Sequence, residues 1–284
     1  MPDSVPCSHC SNDIPQPAQQ CPHCGQGGIF WNVMAAEDPA ERAALKRRYD
    51  DARADSIKRG ADSVLQHFEV AVAGSTAVIA RSASDALRLV SSTRQLFATY
   101  YQQIEGGFRL PDGDEWASGR EITDSILFPD YKKHVHFAAL SLNGIGLSNY
   151  GTCSIALRED RIAHRSSVLE DNSVLFMERH GVNAKRNPDV PKGFRASWAE
   201  RDKLCVAKLA GSIDSTTNPG EYSGLLLKQG ASPELDEFVE VHIFGPMTVL
   251  TIASVNVTEP KVRARATVVR ALKSKLAKYG VAVS

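Results

Sequence analysis

The chain has 284 residues, enough for one large or two smaller domains with apolar cores. Its 33 Lys+Arg balance 33 Asp+Glu, which excludes a protein that coats nucleic acid through bulk charge and leaves only local basic patches open. The longest apolar run, Val70 to Ala80, is too short to span a bilayer and is broken by Gly74 and Ser75. Met1 to Cys10 lacks the basic start and apolar stretch of a secretory signal, so a cytoplasmic protein without a membrane segment is expected.

Four of the six cysteines fall in the first 24 residues. Cys7-Ser-His-Cys10, ten intervening residues and Cys21-Pro-His-Cys24-Gly25 make two facing CxxC knuckles. Tetrahedral zinc takes four thiolates, and each CxxC turn delivers two. Two disulfides would need an oxidising compartment that the absence of a secretory signal argues against. His9 and His23 lie inside the knuckles, yet Cys7, Cys10, Cys21 and Cys24 already close the shell, so the expected zinc is structural, with no position for water. A zinc ribbon over 1–31 is expected, with Ile29, Phe30 and Trp31 docking it onto the next segment. Cys153 and Cys205 sit in apolar runs and read as buried thiols.

Residues 36–106 read as a helical module. Asp38 before Pro39 is an N-cap with proline at the first helical position, and Gly60 is a stop. Val64, Phe68, Val72 and Ile79, then Leu87, Val90, Phe97, Tyr101 and Ile104, keep helical spacings that fit the core face of a hairpin or small bundle.

From 107 to 284 short apolar or alternating runs recur at His134–Leu142, Thr152–Leu157, Val174–Met177, Leu204–Leu209, Gly224–Lys228, Phe238–Phe244 and Val249–Val257. Turn-rich segments separate them, and Gly119–Leu127 reads as a helix, so a mostly β domain and an α+β chain are expected. A helix from Pro260 to Tyr279, capped by Thr258 and stopped by Gly280, carries Lys261, Arg263, Arg265, Arg270, Lys273, Lys275 and Lys278 around its apolar face. That locally basic surface is either solvated or a phosphate-contacting face.

Glu237 to Gly245 reads as a strand. Val239, Val241 and Ile243 alternate with Glu240, His242 and Phe244, which puts Glu240 and His242 on one face. A carboxylate on such a strand is either a wet surface group or a charge aimed into a cleft. His134 and His136 alternate with Val135 and Phe137 in the same way, but no partner is spaced to complete a metal site with them. No Walker or Rossmann phosphate loop, GxSxG elbow or HExxH helix is present; Gly144-Ile-Gly146 lacks the third glycine.

Tyr150-Gly151-Thr-Cys-Ser-Ile-Ala-Leu-Arg158, His164-Arg165-Ser166-Ser167, Asn172-Ser173 and Glu240-Val-His-Ile-Phe-Gly245 follow one another in an order that resembles the ADP-ribosyltransferase toxins of bacteria, over about residues 130 to 257. The resemblance implies a split, mostly β fold that holds NAD in a cleft, with Glu240 as the catalytic carboxylate. It implies that His136 contacts the adenosine ribose or diphosphate. It makes Tyr150, Arg165 and Ser173 candidates to stack on nicotinamide, pair with the diphosphate and brace the catalytic strand, with His242 only a strand neighbour. The family's Gln or Glu two residues before the catalytic glutamate is replaced here by Phe238, which leaves the acceptor side chain open.

The expected function is that of an NAD-dependent ADP-ribosyltransferase, a toxin or defence effector, acting on a macromolecular acceptor and held in check by an antitoxin or regulatory partner. With water as acceptor the same site would be an NAD glycohydrolase. From another class, the knuckles and the basic helix would also suit a zinc-ribbon adaptor that binds nucleic acid or a protein and catalyses nothing.

Overall fold

A computed structural model describes residues 4–7, 10–15, 21–25, 30–107, 114–183, 189–258 and 263–284. Of the sequence expectations, those on His9, Ile29 and residues 260–262 lie outside the described residues. The chain is α+β. At the N-terminus β1 (Ser4–Pro6) pairs antiparallel with β2 (Asp13–Pro15) beside the cysteine knuckles.

Next come α1 (Trp31–Ala36), α2 (Pro39–Lys58), α3 (Asp62–Ala73), β3 (Thr76–Arg81), α4 (Ala83–Leu89), α5 (Tyr100–Glu105) and α6 (Asp114–Leu127). The Asp38 side chain accepts from the N–H groups of Ala40 and Glu41 at 3.0 and 3.2 Å, the cap expected from Asp38-Pro39. The rest of the expected helical module is corrected in two places. Thr76–Arg81, taken as helix, is a strand, because α3 stops at Gly74 and the β-branched run that follows is buried on both faces. The third helix is two, α4 and α5, separated by an irregular stretch in which Phe97 donates its N–H to Met247 O at 2.9 Å. Thr99 then restarts the helix through a capping box with Gln102.

The remaining elements are β4 (Val135–Ser141), β5 (Cys153–Leu157), α7 (Glu159–Ile162), β6 (Ser166–Leu169), α8 (Ser173–Arg179), β7 (Arg195–Ser197), α9 (Arg201–Leu209), α10 (Tyr222–Leu226), β8 (Leu227–Lys228), β9 (Glu237–Phe238), β10 (Glu240–Phe244), β11 (Ile252–Val257), α11 (Arg263–Lys278) and β12 (Ala282–Val283). Two expected strands, Val174–Met177 and Leu204–Leu209, lie in α8 and α9. Short apolar runs do not distinguish a buried strand from one side of a helix, and here Asn172 caps α8 by accepting from Val174 N–H at 3.0 Å. His134 ends a 3-10 turn before β4 and is exposed, so it shares no strand face with His136.

Eight strands form one sheet in the order β12-β11-β5-β3-β4-β10-β6-β7, antiparallel except for β11 with β12. Thus β3, from the middle of the supposed helical module, is a central strand, and the segment 36–106 does not stand apart from the sheet. Leu65, Phe68, Leu204, Leu272 and Leu276 from α3, α9 and α11 share one core with Ile79, Leu140, Ile155 and Val241 of the sheet. On the opposite parity Val135, Phe137 and Phe244 pack with Leu127, Phe128 and Phe176.

The join between β3 and β4 is short. Only Thr76, Ala77 and Val78 pair across it, with Ser141, Leu140 and Ala139. Beyond Val78, β3 continues along β5 as far as Arg81 with Cys153, while β4 continues along β10 as far as Val135 with Phe244. The two halves of the sheet therefore part in the middle and leave a wedge.

Candidate functional site

The wedge holds a cavity of ≈ 310 Å³ lined on one lip by Val78 to Arg81 and on the other by His136 to Ala139. Residues of both strand parities reach it, because the gap exposes both faces of the parted strands. Tyr100, Arg120, Tyr150, Asn172, Phe238 and Glu240 complete its wall. This composition, aromatic faces with a few convergent polar groups, is that of a small-molecule site.

Glu240 opens β10 and is 4% exposed. Its Oε2 accepts the backbone N–H of Ser173 at 2.8 Å, and its Oε1 lies 3.3 Å from His242 Nε2. Burial alone would raise this carboxyl. The His242 hydrogen bond and charge, Arg120 and the Ser173 amide outweigh it and hold Glu240 below the usual range. The group is thus an ionised carboxylate at neutral pH in a partly dry wall, where a fixed charge acts most strongly on charge developing beside it. Of the two readings of the β10 carboxylate, the wet surface group is ruled out: all five residues of the strand are buried. His242, expected to be a mere strand neighbour, is hydrogen-bonded to the carboxylate, with its ring edge-on to Phe128 and Phe137 at 4.7 and 5.6 Å.

Arg120 stands in the same wall with its own partners. Arg120, from α6, spreads its guanidinium over the rings of Tyr100 and Phe137, 4.4 and 4.6 Å from their centroids, and its Nε is 3.5 Å from Asp124 Oδ2. Tyr101 donates its hydroxyl to the same Asp124 oxygen at 2.6 Å. Burial pushes Asp124 up to about 6 against the pull of Arg120 and Tyr101.

His136, 4% exposed, is pushed down to about 3 by burial and by the charges of Arg165 and Arg81, against the opposing pull of the Gly245 backbone. It is a neutral imidazole that can donate from one nitrogen and accept at the other. Tyr150 lines the cavity edge-on to Phe238 (6.1 Å) and donates its hydroxyl to Pro233 O at 3.1 Å. Asn149 donates to Gly230 O and Asp236 Oδ1 at 3.2 and 3.0 Å, so the loop from 229 to 236 is tied to the cavity rim.

The structure therefore brings His136, Tyr150 and Glu240 to one cavity and places Ser173 behind Glu240 as its amide donor. Arg165 is not brought there. It is fully buried, donates to the carbonyls of Arg161, Phe244 and Pro246, and cannot pair with a diphosphate in the cavity. Arg81, Arg120 and Tyr100, which the sequence did not single out, line the same cavity, as does Asn172 of the Asn172-Ser173 motif. Arg81 carried a readable signal, a cation ending the β-branched run Thr76–Arg81; Arg120 looked like one more polar residue of an amphipathic helix.

The cysteine cluster that could hold a metal ion is separate from the cavity. The sulfurs of Cys7, Cys10, Cys21 and Cys24 lie within 4.8 Å of one another, with Cys7 to Cys24 at 3.6 Å and Cys10 to Cys21 at 3.5 Å. Four thiolates about 2.3 Å from a tetrahedral zinc stand about 3.8 Å apart, so the donor set fits. His23 is turned to Asp13 O at 3.1 Å and is not needed as a ligand. Cys153 and Cys205 are buried thiols; burial raises both, Cys205 to about 12. Among the described residues no helix is long and apolar enough to cross a membrane. Phe30 docks edge-on to His164 and Phe244 (5.5 and 6.3 Å), whereas Trp31, expected to dock with it, is 47% exposed.

No protein-family model matches this chain, and no curated protein matches it.

Proposed function

We propose that the cavity binds NAD and that Glu240 carries cleavage of the nicotinamide–ribose bond. The observation that carries this reading is one ionised, buried carboxylate, held by Ser173 and His242, in the wall of a cavity at a split between sheet halves. As the bond breaks, its electron pair leaves on nicotinamide and the ribose carbon becomes oxocarbenium-like. Glu240 accepts a hydrogen bond from the neighbouring ribose hydroxyl and stabilises that positive charge, as glycosidase carboxylates do. Tyr150 and Tyr100 offer ring faces to a flat heterocycle, and Arg81 and Arg120 supply positive charge for a diphosphate. The volume lies at the low end of the range for ligand sites, about 300–1,000 Å³, so it takes one end of the dinucleotide and leaves the rest toward the mouth.

The acceptor attacks the ribose carbon and loses its proton to water. A macromolecular acceptor makes the protein an ADP-ribosyltransferase that acts as a toxin or defence effector. A second reading has water as acceptor and ADP-ribose as product. It is favoured by Phe238, a buried apolar residue in the cavity wall where the resembling toxins carry the polar side chain that orients an acceptor. The four cysteines would hold a structural zinc whose closed thiolate shell contributes rigidity and no reacting water. Incubating labelled NAD with the protein and a cell lysate separates the readings: label that protease or nuclease removes marks transfer, and free ADP-ribose as sole product marks hydrolysis.

A further inference from the structure

Among the described residues Arg165 is the largest fully buried side chain. Its Nε donates to Arg161 O at 3.0 Å, and its Nη1 donates to Phe244 O at 2.9 Å and Pro246 O at 2.7 Å. All three acceptors are neutral carbonyls. Among the described residues no carboxylate pairs with it, and its Nη2 has no hydrogen-bond partner. A buried guanidinium left without counter-charge is costly.

The second knuckle sits directly on this side chain. At Gly25, with φ +70°, a Cβ would lie 2.4 Å from Arg165 Cδ and 2.7 Å from His164 Nε2, so only glycine lets the backbone come so close. Arg161 Nη1 donates to His23 O at 3.1 Å and Thr251 Oγ1 to Pro22 O at 3.3 Å, which fastens the same knuckle to the sheet. Four thiolates on one divalent ion leave a net charge of about −2, the counter-charge that Arg165 otherwise lacks.

On its other side Arg165 holds the end of β10. Phe244 O and Pro246 O flank Gly245, whose φ of +82° makes the turn. Gly245 donates its N–H to His134 O at 2.8 Å, and two residues before it Ile243 pairs in register with His136, whose ring lines the cavity. A path of contacts thus runs from the second knuckle, at Gly25, through Arg165 and the Gly245 turn to β4 and His136.

We propose that Arg165 is a positioning residue: it is the outer-sphere charge partner of a zinc tetrathiolate at Cys7, Cys10, Cys21 and Cys24, and it fixes the Gly245 turn that orients His136 in the cavity. Metal binding at the ribbon and ligand binding at the wedge are then coupled through one guanidinium. The ligand arm of this inference rests on the NAD reading; the metal arm does not.

The test uses the full zinc-loaded chain, with zinc affinity measured by chelator competition and NAD binding by calorimetry. Loss of an outer-sphere partner typically weakens metal affinity about 10- to 100-fold, and Arg165→Met is expected in that range, with Arg165→Lys recovering part of it. NAD binding should weaken at least about tenfold in Arg165→Met and in chelated wild type, with KM rising more than kcat falls. Should Arg165→Met not fold, Gly25→Ala, which keeps the charge but pushes the knuckle off it, must weaken zinc in the same direction. Wild-type zinc affinity in a folded Arg165→Met or Gly25→Ala overturns the proposal, as does unchanged NAD affinity on zinc removal. If zinc-loaded wild type binds no NAD, the functional reading fails instead. The coupling is then read from the His136 ring signals by NMR, which must shift on zinc removal; unshifted signals overturn it.

Discussion

The backbone N–H of Ser173 meets Glu240 Oε2 at 2.8 Å across 67 residues of sequence. That bond joins the start of α8 to the start of β10 and aims the carboxylate. It depends on Asn172, whose side chain caps α8 at Val174 N–H. Replacing a cap of this kind costs about 1 kcal/mol. Asn172→Ala is therefore expected to lower the denaturant midpoint modestly while reducing turnover by well over the few-fold that this stability loss explains. Urea titration and nicotinamide release on the same preparation check it, and a loss confined to stability would contradict it.

The pH behaviour of Asp124 has a definite sign. Its native carboxyl is pushed up to about 6 by burial, so between the ordinary carboxylate range and pH 6 the folded chain holds a proton that the unfolded chain releases. Its contribution to stability is complete at acid pH and is lost as pH rises through that window. Asp124→Asn, neutral throughout, should gain on wild type in thermal midpoint between pH 4 and pH 7. Calorimetry at both pH values checks this, and a constant difference would contradict it.

Arg120 stacks on Tyr100 and Phe137 and helps to keep Glu240 ionised. Arg120→Met preserves much of the apolar contact and removes the charge, so the acid limb of the rate profile should move to higher pH. Glu240, being depressed, should otherwise stay active below the usual carboxylate range. An acid limb at the same pH in both proteins would count against this role.

Phe68 is fully buried and packs edge-on to Tyr222 at 5.3 Å, where α3 meets α10. Truncation of a buried phenylalanine costs about 3–5 kcal/mol, and Phe68→Ala should lose that much in equilibrium unfolding with the cysteine cluster left intact.

Much of this arrangement was legible in the residues. The CxxC spacing needs no tertiary context, and Asp38-Pro39 and Gly280 bracket α2 and α11 because caps are local chemistry. Glu240 was legible as a strand carboxylate, but its burial was not, since Phe128, Phe137 and Arg120 come from other elements. The stripe Val64, Phe68, Val72 and Ile79 ran past Gly74 and hid β3, because a helical spacing continues numerically across a chain that has already turned to strand. Arg165 illustrates the opposite failure. A basic residue in a motif invites a phosphate, and only the packing of Gly25 and the end of β10 shows that its guanidinium is spent on the carbonyls of Arg161, Phe244 and Pro246.

The most direct measurement is nicotinamide release from NAD by wild-type protein and by Glu240→Gln, with folding checked by circular dichroism. Wild type should release nicotinamide, and the folded variant, isosteric but uncharged, should fall by about a hundredfold or more, the scale of losing one preorganised electrostatic group. Release by Glu240→Gln at the wild-type rate would contradict the assignment of this carboxylate, and absence of release by zinc-loaded wild type with any acceptor would contradict NAD as the substrate.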